Sequence, residues 1–257
     1  MEEPVKPLMV ANWKMYNNVS DSIKLATNLK NSLGDYPDVE VVLAPPFTSI
    51  YSVSIAMSET GIKVGAQNCF WGEEGPYTGE VSAPFLKDAG CEYVIIGHSE
   101  RRIHFAETDE SVNKKIHCVL NADLTPILCV GETAHERNEK KTTAVIEKQI
   151  RRGLQDVGMN DLQKFVVAYE PVWAIGSGNR ATVEQIAEAH EHIRFLLARM
   201  YDAPTANNIR ILYGGSVKSS NVREVMKVHH VDGALVGSAS LDYEEFSKII
   251  RFGDFDA

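Results

Sequence analysis

Eight short apolar runs, rich in β-branched residues and recurring about every 30 residues, constrain the fold of this 257-residue chain more than any other feature. They are Leu8–Val10, Val39–Ala44, Lys63–Gln67, Tyr93–Gly97, Thr125–Val130, Phe165–Glu170, Arg210–Gly214 and Gly233–Gly237. Most lack polar alternation, the pattern of parallel strands covered on both faces. Helical patterns lie between them. Their starts read as Ser20-Asp21, Ser82 before Ala83-Pro84, and Asp109 before Glu110-Ser111-Val112, with capping-box spacings at Thr182/Gln185 and Asp242/Glu245. After the sixth run Ile186, Ala187, Ile193, Leu197 and Met200 fall at helical intervals, a stripe suited to covering a sheet. Eight strand–helix units in about 250 residues predict an α/β fold, a closed (β/α)8 barrel of eight parallel strands surrounded by helices. A single barrel domain over residues 1–257 is expected, since no linker or composition break interrupts the chain. A dinucleotide-binding sheet is the weaker choice, because Asn12-Trp13-Lys14 stands where Gly-x-Gly-x-x-Gly would open the first helix.

Composition narrows the function. With 44% hydrophobic and 24% charged residues the chain falls in the globular class. No apolar run approaches the roughly 20 residues of a membrane span. The acidic start Met1-Glu2-Glu3-Pro4-Val5-Lys6 lacks the apolar core of a signal peptide, which points to the cytoplasm. Cys69, Cys91, Cys118 and Cys129 are scattered, so neither a zinc site nor a disulfide framework is indicated, and each reads as a small buried hydrophobe. With 26 basic and 35 acidic residues the net charge is −9, a poor basis for binding nucleic acid. An anionic ligand would need a local positive site.

In such barrels chemistry gathers at the C-terminal strand ends. Those ends carry Asn12, Trp13 and Lys14, then Gln67-Asn68, then Gly97-His98-Ser99-Glu100-Arg101-Arg102, then Glu170. The seventh ends in Tyr213-Gly214-Gly215-Ser216 and the eighth in Gly237-Ser238. Singly, each has a plainer reading: Lys14 as a surface lysine, His98 as a satisfied loop histidine, Glu170 as a solvated carboxylate in an ordinary loop. Together they place a lysine, a histidine, a carboxylate and two glycine-rich turns at one mouth. The glycines admit backbone amides to an anion, and the helix starts that follow favour phosphate. Lys14 offsets developing negative charge, Glu170 serves as base and His98 donates to a carbonyl oxygen, the groups needed to remove a proton next to a carbonyl. Pro171, Val172, Trp173, Ala174, Ile175, Gly176, Ser177 and Gly178 read as a lid over this base, with Trp173, Ala174 and Ile175 as its apolar underside. No metal-ligand cluster or reactive cysteine competes with this set.

Four segments resemble the triosephosphate isomerase family, in order and over essentially the whole chain: Ala11–Met15, Ile95–Arg102, Ala168–Gly176 and Tyr213–Val217. The resemblance implies interconversion of dihydroxyacetone phosphate and glyceraldehyde 3-phosphate, in glycolysis and gluconeogenesis, without metal or organic cofactor. It implies that Glu170 shuttles the proton, His98 acts as a neutral electrophile, Lys14 and Asn12 complete the polar site and Glu100 supports them. It assigns phosphate contacts to Gly176, Ser216, Gly237 and position 238. It also implies a homodimer through the aromatic, glycine-bearing loop 68–80, with Thr78 reaching towards the partner's pocket. The chain departs from the family pattern at Ser238 and Ala106, where glycine is usual, at Tyr16 for Asn, and at Ser177 for Thr. A left-handed backbone at Ser238 would cost roughly 1–2 kcal/mol. Two rival readings are a barrel enzyme for another sugar phosphate and a non-catalytic relative that binds or scaffolds; both would be expected to have altered Asn12, Lys14, His98 or Glu170.

Overall fold

The strand side chains divide by parity into two apolar layers. Leu8, Val10, Val42, Ala44, Tyr93, Ile95, Ile127, Cys129, Val166, Ala168, Leu212 and Leu235 form an inner cluster. Their neighbours, such as Met9, Ala11, Val41, Leu43, Val94 and Val167, pack outwards against helical Leu29, Val53, Ile116, Ile146 and Ile193. Burial on both faces is why the runs carry no polar alternation. The computed structural model describes residues 5–176 and 179–254; Ser177 and Gly178 of the expected lid lie outside them.

The strands are β1 (Leu8–Asn12), β2 (Glu40–Ala44), β3 (Lys63–Ala66), β4 (Tyr93–Ile96), β5 (Thr125–Val130), β6 (Val166–Tyr169), β7 (Arg210–Tyr213) and β8 (Gly233–Val236). They pair in sequence order into a closed barrel, all parallel, and β1 meets β8 from Leu8↔Gly233 to Ala11↔Val236. Among the described residues the helices are α1 (Val19–Leu33), α2 (Ile50–Met57), α3 (Ala83–Asp88), α4 (Ser99–His104), α5 (Asp109–Asn121), α6 (Ala134–Asn138), α7 (Thr142–Gly153), α8 (Val183–Met200), α9 (Ala203–Asn208), α10 (Val222–Met226) and α11 (Tyr243–Ile250).

Several boundaries differ from expectation. The ladder ends one residue before Gln67, Gly97, Glu170, Gly214 and Gly237, so these residues begin the loops. At Gly97 the cause is local, since a φ of 72° turns the chain out of the sheet. Helix α1 starts ahead of Ser20-Asp21 because Asn18 Oδ1 accepts the Asp21 N–H at 2.9 Å. Thr108, not Asp109, caps α5 in a reciprocal box with Ser111. Thr182 and Gln185 form the expected box on α8. Asp242 caps α11, but Glu245 does not complete a box; its carboxylate accepts from Ser219 N at 2.8 Å and Ser219 Oγ at 2.9 Å.

At the N-terminal end of the barrel charged side chains pair with one another. Arg210 Nη1 lies 2.6 Å from Glu40 Oε2, Tyr93 donates to Glu40 Oε1 at 2.5 Å, and Lys63 Nζ is 3.0 Å from that same oxygen. Burial pushes the Glu40 carboxyl up, but the Tyr93 hydrogen bond and the Arg210 guanidinium outweigh it and bring it down to about 2.

The departure at position 238 carries no left-handed strain, because Ser238 is not among the described residues with positive φ. Ala106 is, at φ 51° in the turn between α4 and α5. Ala106→Gly should therefore stabilise the protein by about 1 kcal/mol, measured by denaturant unfolding. A destabilised variant would show that its methyl packing outweighs the backbone strain.

His190 on α8 is fully buried against the Tyr169 and Tyr213 rings, at 6.0 and 6.5 Å between centroids. Nδ1 lies 2.9 Å from the His230 carbonyl, while Nε2 has no partner among the described residues. Burial pushes its pKa down from the ordinary 6.5 to about 4. Between these values the unfolded chain takes up a proton that the folded chain refuses. Stability should be complete above pH 6.5 and fall towards pH 4, by on the order of 3 kcal/mol from this group alone. In denaturant titrations across that window, His190→Asn should show a shallower loss than wild type; parallel profiles would overturn the assignment.

Candidate active site

Glu170 is the first residue beyond β6, its N–H bonded to Val130 O at 2.8 Å and its side chain 2% exposed. Two glycines make room for it. A Cβ on Gly131 would lie 1.7 Å from Glu170 O, and one on Gly214 would lie 2.9 Å from Glu170 Cγ. The carboxylate is held by Ser99 N at 2.9 Å on Oε2, and by Ser99 Oγ at 3.3 Å and His98 Nε2 at 2.9 Å on Oε1. Burial alone would raise its pKa. The His98 ring, the Ser99 amide and Lys14 reverse that and lower it, so the carboxylate is charged at neutral pH.

His98 is the N-cap of α4, and its Nδ1 accepts the Glu100 N–H at 3.3 Å. That bond leaves the ring proton on Nε2, which faces Glu170. Burial pushes the His98 pKa down, but the Glu170 carboxylate, with Glu100 beyond it, raises it overall. The raised pKa thus depends mainly on one contact. If the Glu170 carboxylate moves away, what remains is a buried imidazole whose Nδ1 accepts an amide, an arrangement that favours the neutral donor.

Lys14 adopts φ 51°, a strained conformation for a residue with a side chain. Both of its backbone groups are clamped: its N–H donates to Asn12 Oδ1 at 3.0 Å, and its carbonyl accepts from Gln67 Nε2 at 2.8 Å. Its ammonium lies 2.6 Å from Glu100 Oε1. Asn12 and Glu100 are thereby placed around the Lys14 side chain, one at its base and one at its tip.

A cleft of about 440 Å³ brings together Asn12, Lys14, His98, Glu100 and Glu170 with Gly176, Ser216, Gly237 and Ser238. Val172, Ala174 and Ile175 line it as well. Trp173 does not. Its indole N–H donates to Glu132 Oε1 at 3.0 Å and its ring stacks under Arg137, so Val172 takes the place expected for Trp173 on the apolar underside. Pro171 and Thr78 are also off the cleft; Thr78 is exposed on its loop. Gly176 has φ 69°, a conformation that suits glycine at the lid's turn. The helix starts expected beside the anion end are only half present. After β8 a 3-10 turn, Ser238–Leu241, begins at once, but after β7 the chain loops until α10 starts at Val222. First-turn amides lack intrahelical partners, so the β8 exit offers donors to an anion.

Sequence alone assigns no role to Glu132 at the strand-five exit, yet it is a fully buried carboxylate that also accepts from Tyr169 Oη at 3.1 Å and pairs with Arg137 at 2.8 Å. Reading the end of every strand would have found it. Ser99 and Lys218, which also line the cleft, were likewise not singled out. Cys129 packs inside the barrel, its thiol pushed well up by burial and by the nearby Glu170. Among the described residues no group of three or more His, Cys, Asp or Glu side chains is placed to hold a metal.

The arrangement offers a charged base, a ring N–H and an ammonium in one cleft, which the glycine-bearing turns after β7 and β8 also line. That set can remove a proton beside a carbonyl and hold the resulting oxyanion. A model of the family described as triosephosphate isomerase matches residues 7–253. A triosephosphate isomerase of Geotalea uraniireducens is 49% identical over 249 residues, covering 97% of this chain and 99% of that protein. One of Trichlorobacter lovleyi is 50% identical over 246 residues, covering 96% and 98%. The crystal structure of triosephosphate isomerase from Bartonella henselae superposes with a TM-score of 0.87 at 36% identity, covering 95% of this chain and 98% of that one. With the family model matching residues 7–253 and relatives about half identical over nearly its whole length, this chain belongs to the triosephosphate isomerase family.

Proposed function

We propose that the chain interconverts dihydroxyacetone phosphate and D-glyceraldehyde 3-phosphate by proton transfer through an enediolate, as a step of glycolysis and gluconeogenesis. The observation that carries this reading is the convergence of Glu170, His98 and Lys14 on one cleft that Gly176, Ser216, Gly237 and Ser238 also line. Glu170 takes the proton from one substrate carbon and returns it to the next. His98 Nε2–H donates to the carbonyl oxygen, and Lys14, oriented by Asn12 and Glu100, offsets the charge that develops there. The reaction is redox-neutral within one molecule and needs no electron carrier.

Glu170 is occupied by Ser99 and His98. Pro171 follows directly, so closure of the lid over the phosphate is the motion that swings the carboxylate towards substrate. The apolar side chains of Val172, Ala174 and Ile175 then exclude water, which strengthens every charge interaction inside and protects the enediolate from losing phosphate.

The same reading makes the chain one barrel domain that works in the cytoplasm as a homodimer. No described helix is long and apolar enough to cross a membrane. Large apolar side chains are exposed beyond the ends of β1, β3 and β4: Met15, Tyr16, Trp71, Tyr77, Ile103 on α4 and Phe105. Within loop 68–80 the Phe70 ring stacks on Trp71 and Tyr77, at 4.3 and 4.5 Å, giving the loop a firm apolar body to dock, with Thr78 beside it.

In heavy water the protein should convert dihydroxyacetone phosphate to product and incorporate solvent deuterium, whereas a binding or scaffold relative would do neither. Glu170→Ala should lower kcat by about 10²–10⁴ while substrate binding largely persists. Near-normal turnover in that variant would remove Glu170 from the base role without touching the rest. Sedimentation velocity at micromolar concentration should give a dimer; a monomer would overturn the docking role of loop 68–80.

A further inference from the structure

Two of the four cysteines stand sulfur to sulfur. Cys69 lies at the root of the loop that follows β3, Cys118 lies on α5, and their Sγ atoms are 3.8 Å apart across 49 residues of sequence. Cys69 is fully buried, while Cys118 is half-buried and so is the more accessible residue of the two. The pair is framed by polar contacts that fix its position. Cys118 Sγ contacts Lys115 O at 3.2 Å and Phe70 O at 3.5 Å, and Lys115 Nζ donates to Asn68 Oδ1 at 2.8 Å and to Glu107. The residues on both sides of Cys69 are therefore tied to α5.

We propose that Cys69 and Cys118 form a peroxide-oxidisable dithiol that closes to a disulfide between the loop root and α5. Ionised Cys118 attacks one peroxide oxygen, the O–O bond breaks, and the sulfur becomes a sulfenic acid as hydroxide leaves. Cys69 then attacks the Cys118 sulfur. The S–S bond forms, the S–O bond breaks, and the hydroxyl leaves as water with the Cys69 proton. Two thiols lose two electrons and one hydrogen peroxide is reduced to two waters. The sulfurs must close from 3.8 Å to about 2.05 Å, a movement within reach of a side-chain rotation and a small shift of the loop root.

The ionisation order favours this sequence. The hydrogen bond from Cys69 and the nearby Lys115 ammonium lower the Cys118 thiol pKa, while the same bond and burial raise that of Cys69. Cys91 is pushed up to about 12 by burial and Cys129 well above its ordinary value, so neither competes as the attacking thiolate.

The test treats the reduced full chain with hydrogen peroxide, alkylates the remaining thiols in denaturant and maps peptides by mass. Wild type should lose two titratable thiols, show a single linked peptide pair containing Cys69 and Cys118, and recover both thiols with dithiothreitol. Cys69→Ser should instead leave Cys118 as the sulfenic or sulfinic acid, and Cys118→Ser should be spared at the same peroxide dose. First oxidation at Cys91 or Cys129, over-oxidation of Cys118 in wild type without the link, a disulfide between two chains, or no loss of thiol would each overturn the proposal. The wild-type map decides it even if a serine variant folds poorly.

Discussion

Backbone hydrogen bonding round a closed ring of eight strands is the constraint on which the rest of this molecule depends. A ring has no edge, so every strand is paired on both sides and its side chains are consumed by packing, inward against other strands and outward against helices. Polar chemistry is then confined to the places where strands stop. Because all the strands are parallel, their exits share one face, and residues as distant as Asn12 and Ser238 become neighbours. The opposite face meets the same geometry with the Glu40, Tyr93, Lys63 and Arg210 network, whose charges satisfy one another.

At the mouth, the decisive electrostatic contact is the pairing of Glu170 with His98. A carboxylate this buried would ordinarily hold its proton; the His98 ring and the Ser99 amide keep it charged. The same pairing raises His98, against burial and against the amide that Nδ1 accepts. Each partner's state is therefore conditional on the other's position, and one displacement of the carboxylate changes both. Lys14 lowers the pKa of both partners, and its own position is fixed through its backbone by Asn12 and Gln67.

How much of this was legible in the sequence follows from what each residue's signal depends on. The strands were readable because burial on both faces leaves unbroken apolar runs, and the barrel because the runs repeat at one spacing. Ends were less readable. Asn18 and Ser20-Asp21 are both good caps, and only the fold decides which one the helix uses. The residues that line the cleft were legible as strand-end motifs, but the direction of Trp173 was not. An indole three residues after a strand-end carboxylate reads as lid lining until Glu132 and Arg137, distant in sequence, are known to claim it. Glu132 itself gave only a weak signal: a single carboxylate after a glycine, with partners that become visible in three dimensions. The Cys69–Cys118 contact had none, since 49 residues separate two unremarkable positions.

The Glu132 carboxylate holds Tyr169 on one side of Glu170 and Trp173 on the other, three residues along. Glu170 thus sits on a short span of chain whose two ends share one buried anchor. The placement of the cleft carboxylate therefore depends on a residue that does not itself line the cleft, and a change at Glu132 would loosen both ends of the span at once.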